Sequence, residues 1–190
     1  MQLKFHSVKL KTYCKGGMIM AQVLVIEGSR TDDKNTNILL KILCECNVDY
    51  RVDCASAHWY AGLIYADYIK KIKEKIIIFI GGMSPSAPGI ISAILRNLNK
   101  HDTIVIGIPA DKAARSAIED LPMGTPVLMP GFNTTSVKHS IINGGLTAAK
   151  LALAQSNNEL IRDGLSDWFL NKHRKKPIER IVLNDKGLIP

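Results

Sequence analysis

No stretch of this chain approaches the roughly 20 predominantly apolar residues that a membrane helix needs. Ile76 to Ile80 is far too short, and the other apolar runs are interrupted. The lysines of Met1 to Gly17 are not followed by an apolar core of about 7 to 15 residues, so this start does not read as a secretory signal. Met18 and Met20, just before the first strand, offer alternative starts, which makes the first 17 residues dispensable. Cysteine is scarce. Cys14, Cys44, Cys46 and Cys54 do not make a disulfide framework in a chain of 190 residues. Cys44 and Cys46 stand two apart in an expected helix, point in different directions and do not share a metal. They read as buried thiols in a reducing cytosol. Internal repeats and low-complexity runs are absent as well. These absences exclude a membrane protein and a disulfide-stapled secreted one, and leave a cytoplasmic globular chain.

Charge is abundant but badly placed for nucleic acid. The net charge is +8, of which residues 1 to 16 and residues 171 to 190 supply +4 each, leaving residues 17 to 170 neutral with 15 bases and 15 acids. A nucleic-acid surface needs a basic stripe on the folded body. The tails are read as solvated, and no nucleic-acid partner is expected. With 46% hydrophobic residues the chain can bury one core. The expected organisation is a basic extension over 1–20, a single α/β catalytic domain over 21–173 and a basic tail over 174–190.

Within that domain, Val23-Leu24-Val25-Ile26 reads as a buried strand, being short, β-branched and continuous. Asp32 or Asp33 can cap a helix in which Ile38, Leu39, Ile42 and Leu43 recur at helical spacing. Tyr50 to Cys54 is a second strand, followed by a helix over Tyr60 to Lys73 with Leu63, Ile64, Tyr68 and Ile72 inward. Ile76 to Ile80 is a third strand and Pro88 to Leu98 a helix, with Pro88 in its first turn. Thr103 to Ile108 makes a fourth strand and Pro126 to Met129 a short fifth. Gly131 to Gly145 reads as a long irregular stretch. Gly145 to Ala154 and Asn158 to His173 read as closing helices, the second with Leu160, Ile161, Leu165, Trp168 and Phe169 at helical spacing and a surface of another subunit to cover. Strand, loop and helix in alternation predict a parallel sheet with helices on both faces.

Three loops then stand out, because in an open parallel sheet the carboxyl ends of neighbouring strands converge on one crevice. Gly28-Ser29-Arg30-Thr31-Asp32 offers backbone N–H groups and a hydroxyl suited to phosphate, and equally reads as an ordinary tight turn. It has neither the Walker lysine pattern nor Gly-x-Gly-x-x-Gly. Ser56-Ala57-His58-Trp59 carries a lone histidine, catalytic or structural. Gly81 to Gly89 can wrap closely on a planar ligand or simply turn before a helix.

Taken jointly and in order, these segments resemble the 5-aminoimidazole ribonucleotide carboxylase and 5-(carboxyamino)imidazole ribonucleotide mutase family of purine synthesis, from about Gln22 to His173. The first loop is similar to the family's Gly-Ser-x-Ser-Asp, the second to its Ser-Ala-His, and the third to its glycine-rich loop ending in Pro-Gly. Leu121-Pro122-Met123-Gly124-Thr125-Pro126-Val127 is similar to its Met-Pro-x-Gly-x-Pro-Val, and Asn158-Glu159-Leu160 through Asp167-Trp168 to the C-terminal helix that packs between mutase subunits. The resemblance implies a flavodoxin-like three-layer α/β domain, a homo-octamer and a small-molecule nucleotide substrate, with no metal and no organic cofactor.

By the same resemblance, His58 is the general acid and base of a mutase that moves the carboxylate of 5-(carboxyamino)imidazole ribonucleotide from nitrogen to ring carbon C4. Imidazole titrates in the range this needs. Gly28, Ser29, Asp32, Ser56, Trp59, Gly82, Ser84 and Ser86 are the implied substrate-binding positions. Ser29 and Ser56 would hold phosphate or ribose, Asp32 the ribose hydroxyls, and the glycine-rich loop the imidazole and its carboxylate. Two positions depart from the pattern. Trp59 stands where the family has Arg or Lys as a phosphate partner, and a neutral ring does not replace a charge-assisted hydrogen bond. Ser86, aligned on Pro88-Gly89, stands where bacterial mutases have a second histidine. Arg30 either restores the missing charge or faces solvent. The alternatives are a carboxylase of the unmodified aminoimidazole ribonucleotide, a related (de)carboxylase of another nucleotide, and a non-catalytic ligand-binding paralogue.

Overall fold

The computed structural model describes residues 22–57, 63–83, 86–131 and 136–173. Four parallel strands form its sheet: β1 (Val23–Glu27), β2 (Tyr50–Cys54), β3 (Ile76–Gly81) and β4 (Ile104–Pro109), in spatial order β2-β1-β3-β4. That is the flavodoxin-like order. Every residue of β1 and β3 is buried, because helices cover both faces of the sheet and a strand apolar on both sides suits that position.

The alternation of side chains sorts the core into two halves. Val23, Val25, Ile76, Ile78, Ile80, Ile106 and Ile108 point to the face covered by α1 (Asp33–Glu45), α5 (Val137–Ser156) and α6 (Glu159–His173). Leu24, Ile26, Ile77, Phe79 and Val105 point to the face covered by α2 (Leu63–Lys70) and α3 (Ala87–Asn97). Tyr65 and Ile69 are fully buried on α2, and Tyr68, expected to face inward, is partly buried and packs against the same cluster.

Four expectations are corrected. The proposed fifth strand is a single bridge between Ile106 and Leu128. Leu128 exchanges hydrogen bonds with Val105 and Gly107 at 2.9 and 2.8 Å, but Pro126 and Pro130 on either side have no N–H with which to extend the ladder. The expected helix from Gly145 instead begins at Val137, capped by Ser136, whose hydroxyl accepts from His139 N. A short helix, α4 (Lys112–Glu119), was not foreseen; Asp111 caps it, and its Ala114 and Ile118 are buried. Of the cysteines expected to be buried, Cys46 is, whereas Cys44 is exposed and Cys54 half-buried.

Small residues let the helices of the first face approach. A Cβ on Gly144 would stand 2.5 Å from Ile108 Cδ1, and one on Gly145 would stand 2.9 Å from Ile42 Cγ2. Successive glycines thus press α5 against both the sheet and α1. Gly164 does the same for α6, where a Cβ would meet the backbone of Cys46 at 2.7 Å. Asn47 Nδ2 donates to Leu160 O at 3.0 Å across the same junction. Ile161, Leu165 and Trp168 therefore cover this chain's own core, while Leu160 and Phe169 stay exposed. Among the described residues no helix is long and apolar enough to cross a membrane.

Candidate functional site

The chain leaves β1 toward α1 on one face of the sheet and leaves β3 toward α3 on the other, so the two connections diverge and open a crevice at the carboxyl ends of the strands. There the structure has a cleft of about 420 Å³. Its lining includes Gly28, Ser29, Thr31, Asp32 and Asn35 from the β1 side, Ser56 and Ala57 after β2, Gly81, Gly82 and Met83 after β3, and Ala110 and Asp111 after β4.

Phe79 makes the floor. A Cβ on Gly81 would come 2.9 Å from Phe79 Cε1, and one on Gly28 would come 3.3 Å from its Cζ. Glycine at both strand ends leaves the ring beneath and the cleft open above. Gly28 N donates to Ile80 O at 2.9 Å and Ala110 N to Gly81 O at 2.9 Å, continuing the strand pairing into the loops.

The first loop folds into a 3-10 turn over Arg30–Asp32 that Ser29 caps. Thr31 N donates to Ser29 Oγ at 3.3 Å, Ser29 N donates to Asp32 Oδ2 at 3.1 Å, and Ser29 Oγ donates to the same oxygen at 3.3 Å. This reciprocal arrangement is the capping box. Asp32 is only 7% exposed. Burial raises its pKa above the usual carboxylate value, the Ser29 N–H and hydroxyl oppose that, and the charges of Asp111 and Asp33 add to it.

Of the positions expected to bind substrate, Gly28, Ser29, Asp32, Ser56 and Gly82 meet in this cleft. Ser86 is exposed at the start of α3, outside the residues lining the cleft. His58, Trp59 and Ser84 lie outside the described residues, although Ala57, next to His58, lines the cleft. Arg30 is exposed and lines a separate hollow of about 250 Å³ with Glu27, Asp33 and Cys54. Among the described residues, no Lys or Arg lines the cleft itself.

Two acidic groups were not foreseen. Asp111 carries no motif, and its one sequence signal is that it precedes a short run with Ala114 and Ile118 at helical spacing. Glu27 ends β1 and is 6% exposed. Burial pushes its carboxyl up to about 7, the Thr36 hydroxyl pulls it down, and the neighbouring Asp33 and Asp32 push it further up. A polar residue at a strand end reads from sequence as solvated, and only the packing of α1 over it reveals otherwise.

The sheet order and the cleft define a flavodoxin-like α/β domain with an open crevice at its switch point. Comparison with known proteins narrows this. The family model described as AIR carboxylase matches residues 22–175. The N5-carboxyaminoimidazole ribonucleotide mutase of Haemophilus influenzae is 30% identical over 139 residues, covering 69% of this chain and 79% of that protein. The mutase of the same name from Escherichia coli K12 is 29% identical over 173 residues, covering 86% and 92%. In fold, the chain is similar to the crystal structure of PurE from Treponema denticola, with a TM-score of 0.62, 18% identity and coverage of 79% of this chain and 90% of that one. This chain belongs to the AIR carboxylase family of enzymes.

Proposed function

We propose that this chain interconverts the two carboxylated aminoimidazole ribonucleotides, moving carboxylate from the exocyclic nitrogen to C4. The observation that supports it best is the convergence of Gly28, Ser29, Asp32, Ser56, Ala57 and Gly82 on one cleft of the size of a small ligand. These residues belong to three sequence segments that the parallel sheet brings together at the carboxyl ends of β1, β2 and β3.

In this reading the N–carboxylate bond breaks to release carbon dioxide, and the amine nitrogen keeps the electron pair and takes a proton. C4 then attacks the carbon dioxide, and the C4 proton leaves. One imidazole that gives a proton to nitrogen and takes one from C4 closes the cycle, and His58 is the residue assigned to it. Its neighbours Ser56 and Ala57 line the cleft, which supports the assignment. Ser29 and Ser56 hold phosphate or ribose, and Asp32 accepts from the ribose hydroxyls. The glycine-rich loop, with Gly82 and Ser84, encloses the imidazole. The active form is a cytoplasmic homo-octamer, which the exposed Leu160 and Phe169 of α6 suit.

A second reading, a (de)carboxylase of another nucleotide, is favoured by one observation: no cation lines the described cleft, and Trp59 stands where the family places one. Titration calorimetry with aminoimidazole ribonucleotide and its two carboxylated forms tests the first reading against the second. Binding and turnover of the carboxylated pair supports the mutase; no binding of any of the three rejects it.

A further inference from the structure

We propose that Asp111 is a positioning residue that latches the glycine-rich loop of the cleft to the start of α4. Its two carboxylate oxygens have separate tasks. Oδ1 accepts from Ala114 N at 2.7 Å, which caps α4, and Oδ2 accepts from Met83 N at 2.7 Å, across 28 residues of sequence. The second bond is charge-assisted and therefore stronger than an ordinary loop contact.

The loop needs such a hold. Met83 has φ +54°, in the left-handed region that a side chain with a Cβ disfavours, and it is 85% exposed, so its own packing does not fix it. Gly82 leaves room for the latch. A Cβ there would stand 2.5 Å from Asp111 Oδ2, so any larger residue displaces the carboxylate from Met83. Gly81, Gly82 and Met83 all line the cleft, and the latch therefore sets the wall that faces Ser29 and Asp32. The consequence for substrate rests on the mutase reading; the latch itself does not.

Asp111→Ser separates the two tasks, because serine caps a helix well but is too short to reach Met83 as well. Amide hydrogen exchange of the ligand-free full chain is predicted to speed up at Met83 by about 10-fold or more, the worth of a hydrogen bond to a charged group. The amides of α4 and the denaturation midpoint should stay as in the unsubstituted chain. With the carboxylated ribonucleotide, KM should rise about 10-fold while kcat changes little, since a loop that must be ordered on binding weakens affinity rather than proton transfer. Gly82→Ala should likewise speed exchange at Met83, and should add little once Asp111 is serine. Asp111→Asn, which keeps the cap but turns an amide toward Met83 N, gives the same readout if the serine variant does not fold. Unchanged exchange at Met83 overturns the latch, and faster exchange with an unchanged KM overturns its role in positioning. A chain that turns over no aminoimidazole ribonucleotide counts against the mutase alone, and exchange at Met83 still decides the latch.

Discussion

Ser29 and Asp32 cap each other at the mouth of the cleft, the Ser29 N–H and hydroxyl both donating to Asp32 Oδ2 at 3.1 and 3.3 Å. The two residues assigned to ribose and phosphate thus also fix the turn that opens α1. Structure and binding are separable at Asp32, because an asparagine still accepts from Ser29 N while losing the charge. Asp32→Asn should change unfolding free energy by less than about 1 kcal/mol, and weaken ribonucleotide binding by about 10-fold or more. Denaturant unfolding and titration calorimetry on the same preparation check both numbers.

Glu27 gives the stability curve a direction. Its ordinary value is 4.5 and its folded value about 7, so between those limits the folded chain holds a proton that the unfolded chain has released. This group's contribution to stability therefore falls as pH rises from about 4.5 to 7, by about 1 to 3 kcal/mol. Glu27→Gln should flatten that part of the curve. The difference between the two chains' unfolding free energies at pH 5 and pH 7 measures it, and parallel curves would contradict the assignment.

Gly144 in α5 tests the close approach to the sheet. Alanine normally favours a helix interior, yet its Cβ would meet Ile108 Cδ1 at 2.5 Å. Gly144→Ala should destabilise by about 1 to 3 kcal/mol through overpacking. Ile108→Val removes the offending methyl, so the double variant should be less unstable than the two single changes added together. Thermal or denaturant unfolding of the three variants reads the coupling.

Arg30 lines the hollow beside Glu27 and Asp33 rather than the cleft. Arg30→Ala should therefore change ribonucleotide affinity by less than about 3-fold, within the small range typical of exposed charges. Trp59→Arg should tighten binding of a phosphate-bearing substrate, by about 1.5 to 3 kcal/mol if the new side chain reaches the phosphate. Calorimetry on the pair decides whether the cleft accepts a cation at position 59.

The strands were legible because a parallel sheet covered on both faces demands continuous β-branched runs, and Ile76 to Ile80 has no other reading. The cleft followed from the same inference, since Gly28, Ser56 and Gly82 each come just after a strand. What was hidden depends on contacts distant in sequence. Asn143-Gly144-Gly145 reads as helix-breaking, whereas Gly144 and Gly145 allow α5 to press on Ile108 and Ile42. Asp111 reaches Met83 across 28 residues, which no local pattern announces. Pro126 and Pro130 bracket the apolar run Val127-Leu128-Met129, which looks like a strand, but the prolines have no N–H with which to extend its pairing beyond Leu128.

The central claim is most directly tested by following a carboxyl carbon label in 5-(carboxyamino)imidazole ribonucleotide with the purified chain and its His58→Asn variant, against the spontaneous decarboxylation rate. The label should move from nitrogen to C4 with the unsubstituted chain, and about 100-fold or more slowly with the variant, while both bind substrate alike. Transfer at the same rate in the two chains would contradict the role of His58, and no binding and no transfer by the unsubstituted chain would contradict the mutase itself.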